Sequence, residues 1–267
     1  MKKVFLGIVI ALVCIAIIFV GIGLIRSKTY HVQNPVATIQ IEGYDKPIKI
    51  ELDPQSAPNA VANFIKLSNN GFYTNFKMHI DEDKILGDES MEMAKLSNII
   101  ENPEKDYVYG IKGDFITNGF DNLLKHKKGV ITMERDDYSY FGYTEEGYNS
   151  ANCNFAILTE DNEGYNGYYA AFGKVVEGMD VLEAISATRV EEKENETTTT
   201  TTGETTNATE DTAEKDVNVI TIKSISVDTF GVDYGIPEVV NNEDTRQKVE
   251  AIYNQYFGGN TSTIFAE

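Results

Sequence analysis

Twenty-two consecutive residues without a charge, Val4 to Ile25, place the strongest constraint on how this chain folds. Coiled as a helix with a rise of about 1.5 Å per residue, such a run covers the roughly 30 Å of a bilayer's hydrocarbon core. Lys2-Lys3 and Arg26-Ser27-Lys28 bracket it. The apolar region of a cleaved signal peptide is shorter, about 7–15 residues, and ends in a small-x-small cleavage site. No such site follows here, and Ala11-Leu12-Val13-Cys14 makes a poor lipoprotein signal because Val13 is bulky and the apolar run continues past the cysteine. The expectation is an uncleaved transmembrane helix over residues 4–25, within an anchor segment 1–30. Basic residues on the two sides nearly balance, so charge asymmetry does not choose an orientation. The short basic leader favours a single-pass protein of the cell membrane with its domain on the extracytoplasmic side.

The rest of the chain is acidic. Beyond residue 30 it carries nineteen bases against 42 acids, a formal charge of −23. Such a surface is repelled by nucleic acid and by anionic lipid headgroups. No nucleic-acid partner is therefore expected. Of the two cysteines, Cys14 lies in the apolar run and Cys153 stands alone in the body, so neither a disulfide framework nor a cysteine-rich metal site is expected. Asp81-Glu82-Asp83 and Asp136-Asp137 lack the spaced oxygen ligands and glycine of a calcium loop and are read as solvated. Neither metal nor cofactor is expected.

Hydrophobic periodicity predicts short strands and two helices in the body. Val36 to Ile41 and Ile48 to Leu52 alternate apolar and polar residues around Gly43-Tyr44-Asp45, a hairpin pattern. Val61, Phe64 and Ile65 recur at helical spacing after Pro58, with Asn70-Gly71 as a stop. Further strands are predicted over 129–133, 154–158, 170–176 and 217–227, and a second short helix over 179–185. Many short strands with few helices indicate a mainly β barrel or sandwich capped by helices. The Thr- and Glu-rich stretch 191–216 holds almost no apolar side chain to offset its ordering entropy. It is read as a disordered insertion within the domain. A C-terminal extension, 230–267, contains Val249, Ile252, Tyr253 and Tyr256 on one helical face before Gly258-Gly259.

Several segments together resemble the cyclophilin-type peptidyl-prolyl cis-trans isomerases. They are Val36 to Leu52, Ala57-Pro58-Asn59-Ala60-Val61-Ala62-Asn63-Phe64, Gly71-Phe72-Tyr73, Leu124 to Met133, and Asn152 to Leu182. The resemblance covers residues 34–229. It implies a closed antiparallel eight-stranded β-barrel with two capping helices, a groove on its outer wall for Xaa-Pro peptides, and monomeric action on proline-containing polypeptides such as unfolded exported proteins. Rotation about an Xaa-Pro bond needs no nucleophile. Resonance sets the peptide barrier at about 18–20 kcal/mol. A catalyst lowers it with an apolar seat for the ring and a hydrogen-bond donor for the nitrogen that turns basic as the bond twists.

The motif that carries this donor in the family is altered. Aligned without a gap, Met78 to Asp88 sets Ile80 at the position of the family's arginine, so the catalytic group is not identified by the resemblance. The substrate-binding positions it implies are Ile85, Leu86, Asp88, Asn154, Phe155, Ala156, Tyr165 and Tyr169. Ala156 replaces a ring, and the two tyrosines offer aromatic surface and hydroxyls in compensation. A register shifted by one residue would turn His79, not Ile80, toward the site. Two activities are consistent with these residues: isomerisation, and the holding of proline-containing peptides without isomerising them.

Overall fold

The computed structural model describes residues 33–87, 109–199 and 218–257, with Val13 and Ile15 as isolated helical positions. Two compact units divide the chain, Met1–Gln33 and Asn34–Glu267. The span expected over 4–25 lies outside the described residues apart from those two positions. Among the described residues no helix is long and apolar enough to cross a membrane.

Strands β1 (Val36–Ile41) and β2 (Ile48–Leu52) bury every second residue, as the alternation predicts. They pair antiparallel, Ala37 opposite Ile50 and Ile39 opposite Ile48. Helix α1 (Pro58–Asn69) follows, with the proline in its first turn, where its missing N–H costs nothing. No side chain of its own caps α1. The distant Asp114 does so instead, accepting from the Ala60 N–H and from Asn59 Nδ2, each at 3.0 Å. The helix stops at the predicted place, where Gly71 adopts φ +72°.

The chain continues through β3 (Phe76–Ile80), β4 (Lys84–Gly87), β5 (Tyr109–Ile111), β6 (Val130–Met133), the one-turn helix α2 (Thr144–Gly147), β7 (Phe155–Leu158) and β8 (Ala171–Glu177). Helix α3 (Met179–Thr199), β9 (Val219–Asp228), β10 (Val239–Asn241) and helix α4 (Glu243–Phe257) complete it. Eight strands close a barrel in the order β1-β2-β8-β6-β7-β4-β3-β9, and every pair is antiparallel. Gly173 allows β8 to approach β2: a Cβ there would lie 2.7 Å from the Glu51 carbonyl oxygen. Inside, Phe64, Tyr73, Phe76, Phe155 and Phe172 form a fully buried aromatic cluster. Phe64 meets Phe155 edge to face at 5.3 Å between centroids. Cys153 is buried.

One boundary differs from the sequence reading. Helix α3 anchors on the barrel through Val181, Leu182 and Ile185, but its backbone stays helical to Thr199, past the 185 predicted as its end and past the 191 predicted as the start of disorder. Glu, Lys and Thr continue a helix without needing a core, so apolar periodicity stops short of the true end. Residues 200–217 lie outside the described residues. The C-terminal extension packs against the rest of the domain. Its β10 pairs with β5 in a separate two-stranded sheet, Asn242 Nδ2 donates to the Asn149 carbonyl at 2.7 Å, and Val249 is buried.

Candidate functional site

Strand register decides which side chains reach the outer wall. In β3, Phe76, Met78 and Ile80 point into the barrel, while Lys77 and His79 point out. In β4, Ile85 points in, and Lys84 and Leu86 point out. Cross-strand pairing matches these faces, with Ile80 opposite Ile85 inside and His79 opposite Leu86 outside. Ile80 therefore cannot stand for an outward arginine, and Ile85 cannot line an outer groove. On β3 the outward position beside Ile80 belongs to His79. Phe155 is corrected in the same way: it is fully buried and stacks on Phe76 at 6.1 Å, inside the core. Asp88 lies outside the described residues.

The remaining predicted positions converge. Ala156 shares the outer side of β7 with Leu158, pairs with Leu86 of β4 and Thr132 of β6, and is fully covered. Asn154 is buried, and its amide nitrogen has no partner among the described residues. Tyr165 and Tyr169 stack at 4.3 Å as an aromatic wall, with Tyr165 packed against the Val130, Leu158 and Ala171 cluster. Leu86 stays half-exposed.

Three charged residues that the sequence reading passed over complete the site. Lys84 Nζ donates to the Tyr165 hydroxyl at 2.9 Å and pairs with Glu134 at 3.3 Å. Both side chains of that pair are nearly covered, 13% and 14% exposed, so the pair sits at low dielectric. Burial would lower the lysine's pKa, but the Glu134 charge and the Tyr165 hydroxyl outweigh it and hold the ammonium firmly charged. Burial also pushes the Glu134 carboxyl up against the pull of Lys84, making it the weaker partner. Arg135 lies over the Tyr169 ring at 4.6 Å and near Tyr148 and Phe115 at 5.2 and 5.6 Å. The outward period of β4 signals Lys84. Nothing local signals the cage around Arg135, whose rings come from three separate segments.

Behind the wall, His126 is buried, with Nε2 3.0 Å from Thr132 Oγ1 and Nδ1 3.3 Å from Asn166 Oδ1. It braces the loop carrying Tyr165, whose ring it meets edge on at 5.7 Å. No group of His, Cys, Asp and Glu among the described residues is arranged to hold a metal ion.

These elements make a closed antiparallel eight-stranded barrel with an aromatic and charged cluster beside β4, β6 and β7. The family model for cyclophilin-type peptidyl-prolyl cis-trans isomerases matches residues 36–207. The chain belongs to that family of isomerases. It is 31% identical over 149 residues to peptidyl-prolyl cis-trans isomerase A of Dickeya dadantii, covering 54% of this chain and 68% of that protein. It is 30% identical over 139 residues to peptidyl-prolyl cis-trans isomerase B of Bacillus subtilis, covering 52% and 82%. A crystal structure of a Cryptosporidium parvum cyclophilin-type isomerase superposes with a TM-score of 0.46 at 20% identity, over 72% of this chain and 96% of that one.

Proposed function

We propose that this chain isomerises Xaa-Pro bonds in extended polypeptides, tethered to the cell membrane through residues 4–25 with its barrel on the extracytoplasmic side, where unfolded exported proteins are its substrates. One observation carries the activity. The stacked Tyr165 and Tyr169 rings, the guanidinium of Arg135 over Tyr169 and the Lys84 ammonium on the Tyr165 hydroxyl lie together. An aromatic seat beside polar donors is what a twisting prolyl bond requires, since only contacts that strengthen at the twisted geometry accelerate rotation.

A second reading has its own support. Ala156 is fully covered, and the Lys84–Glu134–Tyr165 contact occupies the floor beside it. A site so filled holds a peptide across its rim without seating the ring, which is a binding module. Exchange spectroscopy on an Ala-Ala-Pro-Phe peptide with the full chain in micelles separates the two. Cis-trans exchange above the uncatalysed rate supports the isomerase. Shift changes on titration with no exchange enhancement select the module.

A further inference from the structure

We infer that Arg135 is the donor this protein presents to the twisting Xaa-Pro unit, an inference that rests on the isomerase reading. The outward position on β3 holds His79 and the inward one Ile80, so no arginine projects from that strand. The cation on β4, Lys84, is already committed to Glu134 and the Tyr165 hydroxyl. Arg135 is placed and provisioned differently. Glu134 donates its backbone N–H to the Asn154 carbonyl at 3.0 Å, so Arg135 leaves the barrel edge beside Asn154. Its side chain then turns across the face of Tyr169.

Of five guanidinium N–H groups, two are used. Nε donates to the Tyr168 carbonyl and Nη1 to the Asp136 carbonyl, each at 3.0 Å. Both protons of Nη2 and one of Nη1 have no acceptor among the described residues. Among the described residues Arg135 makes no direct ion pair, although the charges of Glu134, Asp136 and Asp137 act on it. Other part-buried cations are matched to carboxylates, Arg246 to Glu243 at 2.9 Å and Lys84 to Glu134. A guanidinium held rigidly by rings and carbonyls, with donors to spare, is preorganised for basicity that appears only in a transition state. Two carbonyl anchors and three rings fix its plane, so little rotamer freedom is lost when a substrate accepts from it.

Isomerisation breaks no bond. Arg135 donates a hydrogen bond to the proline nitrogen as its lone pair localises, and the bond is released when planarity returns. Removing one such donor elsewhere costs on the order of 100-fold or more in rate.

The test uses the full chain in micelles and the Ala-Ala-Pro-Phe peptide, with kcat from exchange spectroscopy and affinity from chemical-shift titration. Arg135→Met keeps an apolar stem among the three rings and removes every donor. Arg135→Lys keeps the charge and loses the planar fork. The expected result is a fall in kcat of at least tenfold for the Met variant, with affinity within about threefold, a melting temperature close to wild type and partial recovery in the Lys variant. A Met variant that retains the wild-type kcat overturns the role of Arg135 and leaves the isomerase reading standing. Loss of rate matched by an equal loss of affinity also overturns it, because uniform binding is not transition-state donation. A wild-type chain without enhancement over the uncatalysed exchange overturns both readings together.

Discussion

Acid should expose a hidden cancellation between two buried groups, and replacing His126 separates them. Burial holds the His126 imidazole down to about 4 from its ordinary 6.5, opposed by the Asn166 oxygen and assisted by Lys125. Between those values the unfolded chain binds a proton that the folded protein refuses. Stability from this group is therefore complete above pH 6.5 and is lost as pH falls toward 4. At about 1.4 kcal/mol per pH unit, the loss across the window is about 3 kcal/mol. Asp114 works in the opposite sense. Burial pushes its carboxyl up to about 6 from 3.8, outweighing the Ala60 N–H, Asn59 and Lys112. The folded protein takes up this proton first, so stability is gained as pH falls from 6 to 3.8, again by about 3 kcal/mol. In the wild-type protein the two largely offset one another below pH 6. His126→Gln keeps groups able to hydrogen-bond Thr132 and Asn166 but cannot charge. Urea unfolding at pH 7, 6, 5 and 4 should show the variant gaining about 3 kcal/mol on wild type between pH 7 and pH 4. All other titrating groups cancel in that difference. Parallel pH profiles for the two proteins would refute the reasoning, since His126 would then titrate alike in folded and unfolded chains.

Three further outcomes follow from the site and core. Lys84→Met strands the buried Glu134 carboxylate and should cost about 3 kcal/mol in urea unfolding at pH 7, while Lys84→Met with Glu134→Leu should recover most of that loss. Phe155→Ala removes a ring from the barrel interior and should cost about 3–5 kcal/mol of stability, with peptide affinity of the remaining folded protein unchanged by titration. Ile80→Arg should abolish cooperative unfolding by driving an unpaired charge into the barrel, whereas His79→Arg should stay within about 1 kcal/mol of wild type because that side chain faces outward.

Local pattern carries far into this fold. The alternation of Val36 to Ile41, the helical spacing from Val61 to Ile65 and the Asn70-Gly71 stop are properties of adjacent residues, and each element forms where those residues predict. Family motifs then indicate the barrel and bring Ala156, Tyr165 and Tyr169 to one region. Reading fails where a face or a partner is set at long range. Ile80, Ile85 and Phe155 are apolar residues in strands, and nothing near them in the chain says which wall they face. The three-residue β5 and β10 are too short to show a period, and they pair across more than a hundred residues.

What the amino-acid order determined alone is therefore most of the longer strands, the positions of the main helices and the family resemblance, because these rest on periodicity and on motifs that need no partner. Tertiary structure decided the site. A strand's side chains alternate with period two, so the pairing of His79 with Leu86 turns Ile80 inward, and a slip of one residue would have exchanged every face. The cage of Arg135 arises the same way, since Phe115, Tyr148 and Tyr169 become neighbours only when the barrel closes.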